Sequence, residues 1–145
     1  MNGTWNYSSG LPLTILAPST CYTNITSVTN GTLRANATGL PVGVPDPSVK
    51  EWFNTSAFGC PVQGQYGNAG KNTVRRPGQI TMLANLRKTF VFPDGRSMDV
   101  QLQMTNPLNM VQYNTIDSTY GSPTFGRILT AAPMRTLQIT GRYNF

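Results

Sequence analysis

Ser97-Met98-Asp99-Val100-Gln101-Leu102-Gln103-Met104-Thr105-Asn106 alternates apolar and polar side chains without a break. In an extended chain, Met98, Val100, Leu102 and Met104 fall on one side, and Asp99, Gln101, Gln103 and Thr105 on the other. A pleated strand turns a period of two into two chemically different faces. A helix turns every 3.6 residues and would scatter the same apolar groups around its circumference. Residues 97–106 therefore predict a β-strand with one apolar face.

The pattern recurs on both sides of this stretch. Upstream, Ile80, Met82, Ala84, Leu86, Phe90 and Phe92 share a face interrupted by Lys88, with Thr81, Asn85, Arg87 and Thr89 opposite. Pro93-Asp94-Gly95-Arg96 supplies turn chemistry, so 80–92 and 97–106 read as a hairpin. Downstream, Leu137, Ile139, Gly141, Tyr143 and Phe145 alternate with Thr136, Gln138, Thr140, Arg142 and Asn144, predicting a strand over 135–145. Chain ends usually fray, so an apolar aromatic terminus calls for something that holds it. A fourth strand is expected near 4–17, where Trp5, Tyr7, Leu11, Leu13 and Ile15 alternate with Asn6, Ser8 and Thr14. Pro12 lacks an N–H and marks a kink or an edge within it. Long loops are expected over 18–78 and 107–133.

Composition agrees with strands and turns. Of 145 residues, 39% are hydrophobic and 11% charged, with Gly 14 and Pro 11. Ordinary soluble domains carry about 25% charged residues. Gly and Pro break helices, whereas Thr and aromatic residues suit pleated surfaces. The expected class is all-β: one region over 1–145, an antiparallel sheet of four to six strands with long loops, part of a β-barrel or of an assembled β structure.

The same inventory narrows the chemistry. The net charge is +6, but the basic residues are scattered, with Arg75-Arg76 and Arg87-Lys88 the densest pairs. A nucleic-acid surface needs a basic stripe interleaved with aromatics, so no nucleic-acid partner is expected. The chain has no His, and its acidic residues Asp46, Glu51, Asp94, Asp99 and Asp117 are too dispersed for a carboxylate dyad or a calcium loop. No catalytic residue, no metal site and no cofactor is expected. Cys21 and Cys60 lie in a loop-rich stretch and are read as a disulfide in an oxidising compartment, with two separate buried thiols the alternative; either way the pair is structural. Met1 is followed by Asn-Gly-Thr-Trp rather than by a basic region and an apolar core, so no signal peptide is read. The longest apolar stretch, Leu11 to Ala17, falls short of the ~20 residues of a membrane helix, but a barrel strand needs only ~10 alternating ones.

Two architectures use such stripes. A soluble sandwich points the apolar face at a second sheet; a membrane barrel points it at lipid and lines its lumen with the polar one. The aromatic ends, Phe90/Phe92 and Tyr143/Phe145, resemble interfacial girdles and favour the barrel. Long external loops are also natural there.

Five blocks resemble large TonB-dependent receptors with carboxypeptidase-regulatory-like N-terminal domains, as found in Acidobacteria. They are Ser9-Gly10-Leu11-Pro12-Leu13-Thr14-Ile15, Trp52-Phe53-Asn54-Thr55-Ser56-Ala57-Phe58, the stretch from Gly67-Asn68-Ala69-Gly70 to Arg76-Pro77-Gly78, Ser122-Pro123-Thr124-Phe125-Gly126-Arg127-Ile128, and Arg135-Thr136-Leu137-Gln138 to Tyr143-Asn144-Phe145. They occur in the family's order. The resemblance implies that Leu137, Ile139, Tyr143 and Phe145 form the terminal-strand signal read by the barrel-insertion machinery. One departure is Leu102 to Met110, where Pro107 stands in place of an apolar residue and strand pairing is expected to stop. The family's plug domain, its TonB-contacting segment and most of its barrel have no counterpart here.

The expected function is therefore non-enzymatic: a cell-envelope protein of the bacterial outer membrane or extracellular surface, resembling the closing strands of such a receptor. Four strands do not close a barrel, since the smallest need about eight. The chain is thus a piece of a longer receptor, one of several copies in a barrel, or a self-assembling extracellular filament subunit joined by strand pairing. Its partners are strands of the same barrel or copies of itself, with the lipid bilayer a further candidate. Leu11, Leu13 and Ile15 are the candidate inter-subunit strand. A third reading is a carbohydrate- or peptide-binding sandwich using exposed Trp5, Trp52 and Tyr66. Asn2, Asn6, Asn24, Asn30, Asn36 and Asn54 begin Asn-x-Ser/Thr triplets, read here as Asn/Thr-rich external loops rather than glycosylation sites.

Overall fold

A computed structural model describes residues 1–21 and 33–145. In chain order its strands are β1 (Asn2–Ser8), β2 (Pro12–Leu13), β3 (Leu16–Ala17), β4 (Leu33–Arg34), β5 (Asn36–Ala37), β6 (Phe58–Gly59), β7 (Val74–Arg75), β8 (Gln79–Val91), β9 (Ser97–Thr105), β10 (Tyr113–Ile116), β11 (Ile128–Ala131) and β12 (Thr136–Asn144). Single 3-10 turns at Ser19–Cys21 and Thr55–Ala57 are the helical pieces among the described residues. The fold is all-β. Asn24 and Asn30 lie outside the described residues.

Where one β region was expected, the chain forms two compact units. The first comprises Met1–Ser9, Gly78–Gln112 and Ala132–Phe145; the second comprises Gly10–Pro77 and Tyr113–Ala131. The first unit is an antiparallel sheet in the order β1-β8-β9-β12. β8 and β9 form a hairpin in which Phe92 N–H donates to the Arg96 carbonyl at 2.9 Å, with Gly95 at positive φ completing the turn. β9 stops at Thr105. There Asn106 takes φ 49° and its side chain clamps Met110 twice: its Oδ1 accepts the Met110 N–H at 3.0 Å, and its Nδ2 donates to the Met110 carbonyl at 2.8 Å. Asn tolerates this left-handed backbone better than most residues and supplies both bonds of the turn.

The strand expected near 4–17 does not run that far. β1 ends at Ser8, and β2 and β3 pair with β7 and β4 instead. The reason is a close backbone approach: a Cβ on Gly10 would sit 1.6 Å from the Arg76 carbonyl oxygen, and only glycine lets the chain pass. The candidate inter-subunit strand falls in this stretch. Leu13 and Ile15 are buried in the second unit, Leu13 in β2 against Val74, and of the three only Leu11 is exposed.

The stretches expected as long irregular loops build the second unit, from two-stranded ladders β2-β7, β3-β4, β5-β6 and β10-β11. Its core is Leu13, Ile15, Ala17, Ala35, Phe53, Ala57, Phe58, Ala69, Val74, Ile116 and Ile128. Phe53, Phe58, Phe125 and Tyr120 meet edge to face, with centroids 5.3 to 6.4 Å apart, a favoured geometry for aromatic pairs. Four of the five sequence blocks converge here, each for a packing or hydrogen-bonding reason. Trp52 Nε1 donates to the Arg75 carbonyl at 2.8 Å, and Asn54 caps the turn that follows it, its Oδ1 accepting the Ser56 N–H. Gly67 lets the chain touch its neighbour, since a Cβ there would lie 1.9 Å from the Arg34 carbonyl oxygen. Across the same contact the Asn68 N–H donates to Asn36 Oδ1 at 3.2 Å, and the Ala37 N–H donates to Asn68 Oδ1 at 2.7 Å. Cys21 and Cys60 form a disulfide across a sequence separation of 39.

Candidate functional site

The four-stranded sheet combines two properties that a water-soluble fold keeps apart. Every buried hydrophobic residue among those described belongs to the second unit, so the sheet has no core of its own. Yet one of its faces is apolar almost throughout. The register sets Leu137 opposite Met104, Ile139 opposite Leu102, Gly141 opposite Val100 and Tyr143 opposite Met98. It continues with Met104 opposite Ala84, Leu102 opposite Leu86, Val100 opposite Lys88 and Met98 opposite Phe90. Trp5 and Tyr7 then meet Met82 and Ile80. Directly paired residues point to the same side of a sheet, so these side chains form one continuous surface. It is open: Trp5 is 70% exposed, Ile139 74% and Leu137 56%.

The opposite face is polar. It carries Asn2, Thr4, Asn6, Thr81, Asn85, Arg87, Thr89, Asp99, Gln101, Gln103, Gln138, Thr140 and Arg142, with Leu83 and Val91 the apolar exceptions. Asp99 is its charged centre. Arg87 Nη2 lies 2.9 Å from its Oδ2, Thr89 Oγ1 donates to its Oδ1, and Arg142 stands opposite it in the register. With Gln101 and Thr140, the two arginines and Asp99 line a depression of about 130 Å³. An exposed ion pair contributes little stability, so the cluster matters as a polar lining rather than as a staple.

The two ends of the sheet differ. The β8–β9 connection is the short turn 92–96, while the β1–β8 and β9–β12 connections, 9–78 and 106–135, are long and leave from the same opposite end. Aromatics mark both ends of the apolar face. Phe92, Tyr143 and Phe145 cluster at the short-turn end, with centroids 6.4 and 6.1 Å apart, and Trp5 and Tyr7 lie towards the other. From the Ile80–Tyr7 level to Phe90 is about 33 Å along a strand at ~3.3 Å per residue. Tilted by about 40°, that spans about 25 Å, the height of the apolar band of an outer-membrane barrel.

Finally, both edges are open. Among the described residues β1 pairs only with β8, and β12 only with β9. An unpaired edge is a template for a further strand, and in lipid it must be paired. A model of the outer membrane beta barrel domain matches residues 1–138.

The chain belongs to the outer-membrane β-barrel domain family.

No curated protein and no solved structure matches it. Membership bears on how such an open apolar face is used. In an outer-membrane barrel, alternate residues meet lipid and lumen, and aromatic girdles sit at the two interfaces. It also sets the outer membrane as the location.

The terminal-strand residues singled out from sequence, Leu137, Ile139, Tyr143 and Phe145, lie at or beyond β12 on the open edge, and the first three share the apolar face. The match stops at 138, so most of β12 lies beyond it. The binding trio from sequence divides between the two units. Trp5 stands on the apolar face, whereas Trp52 is half-buried with its indole N–H committed to Arg75. Tyr66 is exposed in the second unit. Sequence reasoning missed the second girdle, because the place of Trp5 and Tyr7 depends on their register against β8. It also missed Asp117. That carboxylate accepts Ser122 Oγ at 2.5 Å, Thr124 Oγ1 at 2.6 Å and the Thr119 N–H at 3.0 Å, folding the Ser122-Pro123-Thr124 block around itself. Partial burial raises its pKa, but the Ser122 and Thr124 hydroxyls and the Thr119 amide outweigh that and hold it below the ordinary 3.8.

Proposed function

We propose that this chain supplies the closing strands of a TonB-dependent-receptor-type outer-membrane barrel, with its two long connections leaving the outward-facing end. The observation that carries the reading is the coreless sheet with one apolar face, two aromatic girdles and two open edges. The five receptor-like blocks and the contrast between one short turn and two long connections add support. In bacterial barrels the short turns face the periplasm and the long loops face outward. The role is structural and non-enzymatic: β1 and β12 pair with further barrel strands, the apolar face meets lipid, and the Arg87–Asp99–Arg142 face lines the lumen. Leu137, Ile139, Tyr143 and Phe145 form the terminal-strand signal for insertion.

The open edges equally suit a filament in which β12 of one copy adds to β1 of the next, and one measurement separates the two. The full chain has a mass of 15.8 kDa. Size-exclusion chromatography with light scattering in detergent-free buffer is expected to return little soluble material, with recovery only in detergent or lipid. A very large, detergent-free soluble assembly of full-length chains would refute the barrel and establish the filament.

A further inference from the structure

One residue departs from the apolar face. Lys88, opposite Val100 in β9 and between Leu86 and Phe90 along β8, is the only charged side chain on it among the described residues. The side-chain carboxylates of the sheet unit are engaged elsewhere: Asp99 binds Arg87 and Thr89 on the opposite face, and Asp94 pairs with Arg96 in the turn. Among the described residues of the sheet unit no side-chain carboxylate is left for Lys88, so its counter-charge comes from outside that unit.

Its position says what kind. Lys88 stands towards the short-turn end, three residues before β8 closes at Val91 and close to the level of the Phe90–Phe92–Tyr143 aromatics, its Nζ 6.0 Å from the Phe90 ring centroid. Those three residues are about 10 Å along the strand, or about 7 Å in depth once tilted. A four-carbon stem largely covers that distance, laying its methylenes on the apolar surface while the ammonium reaches the headgroup layer. We propose that Lys88 docks the phosphate of an anionic phospholipid in the leaflet at the short-turn end. The inference rests on the barrel reading above. It adds a lipid contact on the outer wall and assigns it to one residue: a fixed cation, flanked by aromatics at headgroup depth, facing the only phosphate-rich layer it can reach. By contrast, Arg87, its sequence neighbour, points to the lumen and is neutralised there by Asp99.

The test uses the full chain with one tryptophan beside the site, Phe90→Trp, in a Trp5→Phe, Trp52→Phe background. It is folded into phosphatidylcholine vesicles doped equally with brominated phosphatidylglycerol or brominated phosphatidylcholine. A cation at the membrane surface enriches an anionic headgroup about five-fold, so the brominated anionic lipid should quench the introduced tryptophan clearly more strongly than the zwitterionic one. Lys88→Arg should keep that preference and Lys88→Gln should abolish it, while quenching by brominated phosphatidylcholine persists in both. Equal quenching by the two lipids with Lys88 present would overturn the proposal, as would a preference that survives Lys88→Gln. Quenching by neither lipid would overturn the barrel reading itself, because the face would then be covered by protein.

Discussion

Leu102 and Gln101 are neighbours in β9 that face opposite ways, and replacing each in turn with arginine tests which face meets lipid. Leu102 sits opposite Leu86 and Ile139 near the middle of the apolar band, and Gln101 opposite Arg87 and Thr140 on the polar face. An arginine at the lipid-facing midplane of a barrel costs about 2–4 kcal/mol, whereas lumenal substitutions are mild. At about 1.4 kcal/mol per decade, Leu102→Arg should shift the folding equilibrium by roughly 30- to 700-fold. With a urea dependence of about 2 kcal/mol per molar, its unfolding midpoint in lipid vesicles should fall by about 1–2 M. Gln101→Arg should move it by no more than a few tenths of a molar. Tryptophan fluorescence during urea titration of the vesicle-bound protein reads both. If Leu102→Arg unfolds with the wild type, or if Gln101→Arg is the more damaging, the assignment of the faces is wrong.

The second unit supports three further predictions. Gly67→Ala forces a Cβ to within 1.9 Å of the Arg34 carbonyl oxygen, so the backbone must move and stability should drop by about 3 kcal/mol, seen as a lower thermal midpoint and faster proteolysis of residues 10–77. Reducing Cys21–Cys60 releases a loop of separation 39 and should cost about 4 kcal/mol in the chain-entropy account, measured by unfolding with and without reductant. Asp117 is more acidic folded than unfolded, so its contribution is complete above the ordinary pKa of 3.8 and lost as pH falls below it. Asp117→Asn should therefore flatten the acid limb of the stability profile below about pH 4, leaving its shape near pH 7 unaltered.

The strands of the sheet were legible in the sequence because a period of two is a local property. The alternation of 80–92, 97–106 and 135–145 specifies which side chains share a face whatever the strands pair with, and Pro93 to Arg96 announces the hairpin. The blocks around Trp52, Gly67 and Ser122 were equally visible, but only as resemblance. Their physical reasons are contacts between residues far apart in sequence: Trp52 with Arg75, Gly67 with Arg34, Phe125 with Phe53.

Tertiary structure alone decided the rest. Leu11, Leu13 and Ile15 continue the alternation of Trp5 and Tyr7, yet the turn at Gly10 sends them into a different unit, and no local pattern records a backbone approach to Arg76. The second girdle needed the β1–β8 register, and the isolation of Lys88 needed the whereabouts of Asp94 and Asp99. Alternation determines that a strand has two faces; which neighbours complete each face, and whether anything in the chain covers it, depends on pairings made across sequence distance.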